Sequence, residues 1–419
     1  MKVTSCRVCS ATSLTPVLDL GETPAANYFL SREELSCEQT KYPLRLCGCQ
    51  ACGFVMLDEV VAPEAQFRDY HYLTSASAPL VEHFADLARD CEARGWVTPG
   101  TRVLDIGAND GTLLNELRRL GASPLGIDPA RPAVRRAAER GLTVLPYFFS
   151  DALAARLRSE MEAFDLITCT NVFAHVDDVA GFLAGVARLL GRDGVVVMEV
   201  AHLLDMVVKR QFDVIYHEHV SYFSLRTLMR LFAQSGLEIL DACKVATQGG
   251  SLRIYARRQT AASSPSASSF AARSGSLCAI REEEERFRIH ELATLQHFAD
   301  DVRAFRHDLR VLVSDIRKRR QKIVGLGAPA KGVTLLNFCG LGPDDIAYLV
   351  DSTDLKQGRF LPGVQIPVYA EEALQRDERP CDYFLLLSWN FQDRMLETIT
   401  PYRANGAKVI LPFPRLRVI

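Results

Sequence analysis

The 419 residues carry 49 Lys and Arg against 51 Asp and Glu, for a formal net charge of -2, and 48% of them are hydrophobic. That length exceeds one ordinary core and suggests about three domains. The balanced charge offers no basic field for nucleic acid or an anionic membrane, so polymer substrates are disfavoured. The opening MKVTSCRVCS lacks an apolar signal core and no apolar run is long enough to span a bilayer, so a cytoplasmic protein is expected.

The first segment, residues 1–77, holds Cys6-x-x-Cys9 and Cys49-x-x-Cys52-Gly53. Two such pairs on tight turns supply four thiolates for tetrahedral zinc. Cys37 and Cys47 lie nearby as substitutes, but only Cys49 pairs with Cys52 at the right spacing. Four protein ligands leave no vertex for water, so the expected zinc is structural. Tyr70 and Tyr72 follow in DYHYLTSAS, placed either to roof a site or to pack a domain junction.

Residues 78–256 alternate strand and helix patterns, with strands expected at 102–106, 123–127, 142–146, 165–170 and 194–200. Such alternation predicts a parallel, doubly wound α/β sheet whose binding residues lie past the strand ends, where Asp105, Asp128, Asn171 and Glu199 fall. In VLDIGANDGTLL a strand ends at Asp105, and a turn from Gly107 to Gly111 leads into a helix. The spacing is not G-x-G-x-x-G and no P-loop lysine follows. With Asp128 closing the next strand, where a carboxylate suits two ribose hydroxyls, the segment resembles the S-adenosylmethionine pocket of class I methyltransferases. His175 in NVFAHVDD follows the strand ending near Asn171. The densest polar cluster is Tyr216-His217-Glu218-His219 in IYHEHVSYFS, which departs from the H-E-x-x-H of zinc proteases. Histidine takes a proton at neutral pH and tyrosine donates to oxyanion charge, so the kit fits a proton abstraction, against the plainer reading of a polar loop. Arg253 and Tyr255 in GGSLRIYA belong to a later strand, expected as an antiparallel addition.

Residues 257–320 open with the Ser/Ala-rich AASSPSASSFAARSGS, read as a linker or excursion. One long amphipathic helix is then expected, with REEEER at its start and apolar residues from Leu292 to Ile316 at steps of three and four. Packing between domains is favoured over a coiled-coil seam, because the stripe is short and partly aromatic. Residues 321–419 restart the alternation as a second Rossmann-like unit. In its turn GLGAPAKG, the amides near Gly327 and Ala328, with Lys331, are placed to meet a diphosphate unless the unit is only scaffolding.

The paired cysteines, DIGANDG, NVFAHV, IYHEHVSYFS, GGSLR, GLGAPAKG, LVDSTDLKQGRFLPGVQIPV and LLSWNF together resemble the sugar C-methyltransferases acting on thymidine-diphosphate-linked (dTDP) 4-keto-deoxysugars. The resemblance runs almost end to end. It implies a small zinc-binding domain, a class I methyltransferase Rossmann-like domain and a C-terminal Rossmann-like domain, with the sugar nucleotide between the last two. S-adenosylmethionine would be held by Asp105, Gly107, Asn109, Asp110, Gly111, Asp128, Phe148 and Asn171. His219 would remove the C3 hydrogen, with Tyr216 and Glu218 orienting it or stabilising the enolate. His175 would bond the keto oxygen, and Tyr70, before Tyr72, would shape the methyl-transfer site. Lys331, Asp351, Lys356 and Arg359 fall in the nucleotide-side motifs. A nucleotide-linked sugar is thus the expected partner, and nothing in the pattern sets an oligomeric state. Competing readings are a methyltransferase for another activated sugar or for oxygen, and a non-catalytic sugar-nucleotide-binding protein.

Overall fold

A computed structural model describes residues 1–68, 70, 72–259, 275–377 and 381–419. Most of the Ser/Ala-rich stretch, 260–274, lies outside the described residues. Strands Leu14–Thr23, Tyr42–Cys49 and Val55–Leu57 form an antiparallel sheet over the cysteine turns. Its fourth strand, Ser221–Tyr222, comes from the H-E-H segment and pairs Val55 with Tyr222 and Met56 with Ser221. The N-terminal layer is therefore built onto the segment that carries His219.

The central sheet has seven strands in the order Leu237–Val245, Ser251–Arg258, Leu190–Ala201, Phe164–Thr170, Arg102–Ile106, Ser123–Ile127, Val144–Leu145. Its last five strands run parallel and the first two add antiparallel, the second of them carrying Arg253 and Tyr255. This is the doubly wound class I methyltransferase architecture. The run from Val195 to Val200 is buried throughout, as a central strand covered on both faces requires. Helix Thr112–Arg119 starts after Gly111, whose left-handed backbone (φ 77°) ends the turn at low cost only for glycine.

The expectation of one helix with an acidic start is corrected. REEEER ends a separate helix, Gly275–Arg286, and the chain reverses at Arg288 (φ 53°) before helix Leu292–Lys318 begins. Glu284 is wholly buried and accepts from the Leu225 and Arg226 amides (2.6 and 3.3 Å), capping helix Leu225–Gln234 from outside, with His202 Nε2 at 3.0 Å. A carboxylate here satisfies orphan amides of another helix rather than favouring its own N-terminus. The long helix lays Leu295, Phe298, Val302, Leu309, Val313 and Ile316 into one core with Leu18 and Leu44 of the N-terminal sheet and Leu335 and Leu336 of the C-terminal unit.

That unit has a six-stranded sheet in the order Val368–Tyr369, Leu349–Val350, Ile323–Leu326, Tyr383–Leu386, Lys408–Leu411, Arg417–Val418, parallel but for the last strand. Its first helix, Ala330–Cys339, is buried almost all round because it fills the space between this sheet and the central domain. No described helix is long and apolar enough to cross a membrane.

Candidate active site

The sulfurs of Cys6, Cys9, Cys49 and Cys52 lie within 4.8 Å of one another, with Cys6–Cys52 and Cys9–Cys49 each at 3.6 Å. Zinc–sulfur bonds of about 2.3 Å give a tetrahedron edge of about 3.8 Å, so the four thiols stand close to the spacing the ion requires. Cys37 and Cys47 stand outside the cluster. The Val8 amide donates to Cys6 Sγ at 3.4 Å, the type of contact that steadies a bound thiolate. Arg7, between the first two cysteines, donates to Asp177 (2.7 Å) and to the Leu57 and Val220 carbonyls (3.0 and 3.1 Å). It clips the knuckle to the residue after His219.

A cavity of about 890 Å³ opens beyond the carboxyl ends of the central strands. Asp105, Gly107, Asn109, Asp128, Phe148 and Asn171 line one end. Gly107 (φ 79°) has no room for a side chain, since a Cβ would run into Val172. Asp128 is held by the amides of Asn109 (2.9 Å) and Ala130 (2.8 Å), which leaves further lone pairs for hydroxyls. Asp105 accepts from Thr168 at 2.7 Å, and burial pushes its carboxyl up to about 7. The Asn109 side chain is spent inside the protein, on the Thr74 amide and the Tyr72 carbonyl. Asp110 and Gly111 do not line the cavity. Asp110 is buried behind the turn against Thr112 and the Ser75 amide, and Gly111 only caps the helix. Glu199 is wholly buried between His83 (2.8 Å) and Arg253 (2.6 Å); His83 reaches the wall in its place.

Tyr70, His175, Tyr216 and His219 line the cavity together, and Tyr72 lines it beside the donor-side turn, its carbonyl accepting from Asn109. The His219 amide donates to the Tyr216 carbonyl at 2.8 Å, folding residues 216–219 into a turn that sets both side chains side by side. His219 Nδ1 lies 2.7 Å from the Val214 carbonyl, which can only accept, so Nδ1 carries the hydrogen and Nε2 is the accepting nitrogen. Tyr216 donates its hydroxyl to Nε2 at 2.9 Å. Burial, reinforced by His175, lowers the proton affinity of His219 well below that of an ordinary histidine. The His175 ring stands 5.0 Å away, lowered to about 4 by burial, and its Nδ1 is buried without a partner. Glu218 is buried behind this layer, accepting from Asn27 (2.6 Å) and Tyr70 (3.2 Å), and burial raises it to about 7.

The C-terminal unit closes the cavity with Lys331 and Lys356. Lys331 is buried, its Nζ lacks a hydrogen-bond partner and sits 4.5 Å from the centre of the Trp389 ring; burial lowers it to about 8. Lys356 Nζ donates to the Ala328 carbonyl at 3.0 Å and lies 3.6 Å from Asp351, which in turn accepts from the Ala328 amide at 2.7 Å. Gly327, Ala328, Asp351 and Arg359 stand back from the cavity; Gly327 (φ 82°) abuts Ser388 and Arg359 donates to the Phe29 carbonyl at 3.2 Å. Sequence reading did not single out Asn27, His83, Asp213 or Trp389. Trp389 Nε1 donates to Asp213 at 2.6 Å and Thr334 Oγ1 to the Ile215 carbonyl at 3.2 Å, so this unit braces the loop that carries His219.

The C-methyltransferase NovU of Streptomyces niveus is 33% identical over 417 residues, covering 100% of this chain and 97% of that protein. The chain belongs to the S-adenosylmethionine-dependent C-methyltransferase family. Family profiles agree along its length: a zinc binding domain matches residues 6–67, a methyltransferase domain 71–242 and a C-methyltransferase C-terminal domain 246–414. A ubiquinone biosynthesis O-methyltransferase of Ralstonia nicotianae is 31% identical over 145 residues, 33% of this chain and 55% of that protein. Among solved structures, the magnesium protoporphyrin IX methyltransferase of Synechocystis is 17% identical with a TM-score of 0.34, covering 43% of this chain and 79% of its own. This C-methyltransferase thus shares its whole length with NovU and 33% of it with the O-methyltransferase.

Proposed function

We propose that this C-methyltransferase methylates C3 of a nucleotide-linked, dTDP-type 4-keto-deoxysugar through an enolate, with His219 as the base. The observation that carries the reading is the neutral, lone-pair-bearing Nε2 of His219 held beside the Tyr216 hydroxyl in the middle of a cavity between donor-side and C-terminal walls. Carbon methylation requires a C–H proton to be removed, and a buried imidazole fixed in its accepting tautomer suits that step. Bound S-adenosylmethionine supplies an electrophilic methyl group. Asp128 would take its ribose hydroxyls, the cleared backbone at Gly107 would admit it, and Asp105, Asn109, Phe148 and Asn171 would complete that end. Asp110 and Gly111 would act by shaping the turn.

A 4-keto group acidifies the hydrogen on C3. As the Tyr216 hydroxyl turns from Nε2 to the keto oxygen, the vacated Nε2 lone pair takes that hydrogen as a proton, and the electron pair of the broken C–H bond becomes the enolate. The Tyr216 hydroxyl then donates to the growing oxyanion, which His175 also faces. Glu218 would position Tyr70 from behind, and Tyr72 would wall the donor end. Lys331 and Lys356 are the cavity-lining cations on the nucleotide side, with Gly327, Ala328, Asp351 and Arg359 shaping their loops. On this reading residues 1–77 bind zinc, 78–256 the donor and 321–419 the sugar nucleotide, with 257–320 joining them.

The test is mass spectrometry of a reaction containing S-adenosylmethionine and dTDP-4-keto-2,6-dideoxysugar. One added methyl group with loss of the C3 hydrogen is expected, as is wash-in of solvent deuterium at C3 of the sugar when S-adenosylmethionine is left out; a methylated product that retains its C3 hydrogen points to oxygen as the acceptor. His219→Asn should lower turnover roughly 10²- to 10⁴-fold while leaving donor affinity nearly unchanged. Near-normal turnover of that variant would remove His219 from the role of base.

A further inference from the structure

From the N-terminal layer Asn27 reaches the cavity wall, on the loop between strand Leu14–Thr23 and the turn Glu33–Ser36. Asn27 Nδ2 lies 2.6 Å from Glu218 Oε1 and 3.4 Å from the Tyr70 hydroxyl, and that hydroxyl lies 3.2 Å from Glu218 Oε2. In its ionised form Glu218 only accepts, so the amide then turns its NH₂ toward Glu218, and the single proton of Tyr70 goes to the other carboxylate oxygen. Both amide hydrogens are then engaged inside the triangle. Oδ1 takes no hydrogen bond from any described residue and is not among the fully buried polar atoms, and Asn27 itself lines the cavity.

The position of this acceptor within the cavity is defined by its neighbours. Glu218 directly precedes His219, whose ring is 5.0 Å from that of His175; the Phe67 ring is 5.3 Å from His175 and 5.7 Å from Tyr70. Asn27 therefore lies beside the reacting end. An amide carbonyl whose own hydrogens are held elsewhere is a directed acceptor and asks for an N–H or O–H.

Resting on the reading above, we propose that Asn27 Oδ1 accepts a hydrogen bond from an amine or hydroxyl borne by the carbon that is methylated, and so selects substrates with such a donor at C3 over those with only hydrogen there. A polar site rejects an analogue that lacks the matching group because its own acceptor is then left unpaired. The zinc-binding layer would thereby contribute to substrate choice directly.

The experiment compares kcat/KM of the full-length zinc-loaded enzyme for two dTDP-linked 4-keto sugars, one with an amine or hydroxyl at C3 and one with CH₂. The wild type should prefer the first by roughly 10-fold or more. Asn27→Ala should lose roughly 10- to 100-fold on the first and less than about 3-fold on the second, collapsing the preference. Equal losses on both sugars would mean that Asn27 acts only by holding Glu218 and Tyr70, and a wild type indifferent to the C3 group would overturn the proposal without use of any variant. If the wild type methylates neither sugar, the reaction assignment itself fails, an outcome distinct from failure of Asn27 to discriminate.

Discussion

His219 is kept neutral by its surroundings: burial and the neighbouring His175 disfavour the imidazolium, and the Val214 carbonyl fixes which nitrogen is bare. A depressed proton affinity means that the working form persists below the usual histidine range. The acid limb of kcat/KM should therefore fall below pH 6.5, with activity at pH 6 close to the plateau; a limb centred at or above 6.5 in the pH–rate profile would contradict this. Stability follows the same sign. The contribution of neutral His175 is present above the unfolded value of 6.5 and is lost as pH falls through about 4. Asp105 has the opposite sign, because burial raises its carboxyl from 3.8 to about 7. Its favourable, protonated state is complete below 3.8 and lost as pH rises through about 7. Asp105→Asn should then raise the thermal midpoint of donor-free enzyme at pH 8 by about 2–4 °C while weakening donor binding, a stability gain at the expense of function. Calorimetry at pH 8 showing a lower midpoint for the variant would mean that the carboxylate is better compensated than its single Thr168 bond indicates.

At the scale of elements, the zinc knuckle and the base are mechanically joined. Arg7 reaches the Leu57 and Val220 carbonyls, and strand Val55–Leu57 pairs with Ser221–Tyr222 immediately after His219. Zinc touches no substrate in this arrangement, yet its removal should displace the loop. Stripping zinc with a chelator, or Cys49→Ser, should lower methyl transfer at least ~100-fold in step with lost metal; full activity in zinc-free protein would refute the coupling. The cysteine spacing, the glycine turn, the two Asp-terminated strands and the apolar stripe of the long helix were readable because each is a local pattern with a local physical cause. The pairing of residues 55–57 with 221–222 was not, since sequence carries no sign of which distant edge a three-residue strand will meet. REEEER misled for a related reason: acidic residues favour a helix start, but Glu284 caps a different helix, and that pairing is tertiary. Asn27, Asp213 and Trp389 belong to no motif of their own chemistry and become visible only where the folded chain brings them against Glu218, Lys331 and the base loop.

Across the whole molecule, the two walls of the cavity are built on different sheets, and the C-terminal one braces the loop that carries the base. Trp389 stays out of the cavity lining, but its Nε1 donates to Asp213, a wholly buried carboxylate whose other oxygen has no partner. The next residue, Val214, holds His219. Burial raises Asp213 to about 6, so it relies on Trp389 and the nearby charge of Lys331 to remain ionised. A hydrogen bond to a charged group contributes about 1.5–3 kcal/mol, roughly 10- to 100-fold when converted to a rate. Trp389→Phe keeps the aromatic bulk and removes only that donor. The 3-10 turn Phe212–Val214 should loosen, the Val214 carbonyl should hold His219 less firmly, and turnover at saturating sugar nucleotide should drop roughly 10-fold or more. Donor affinity should stay within about 2-fold of the wild type by calorimetry, because Asp105, Gly107 and Asp128 hang from strands that Trp389 does not touch. Parallel losses of donor affinity and turnover would show that the two walls move as one body, and the separation of donor binding from proton abstraction would have to be abandoned.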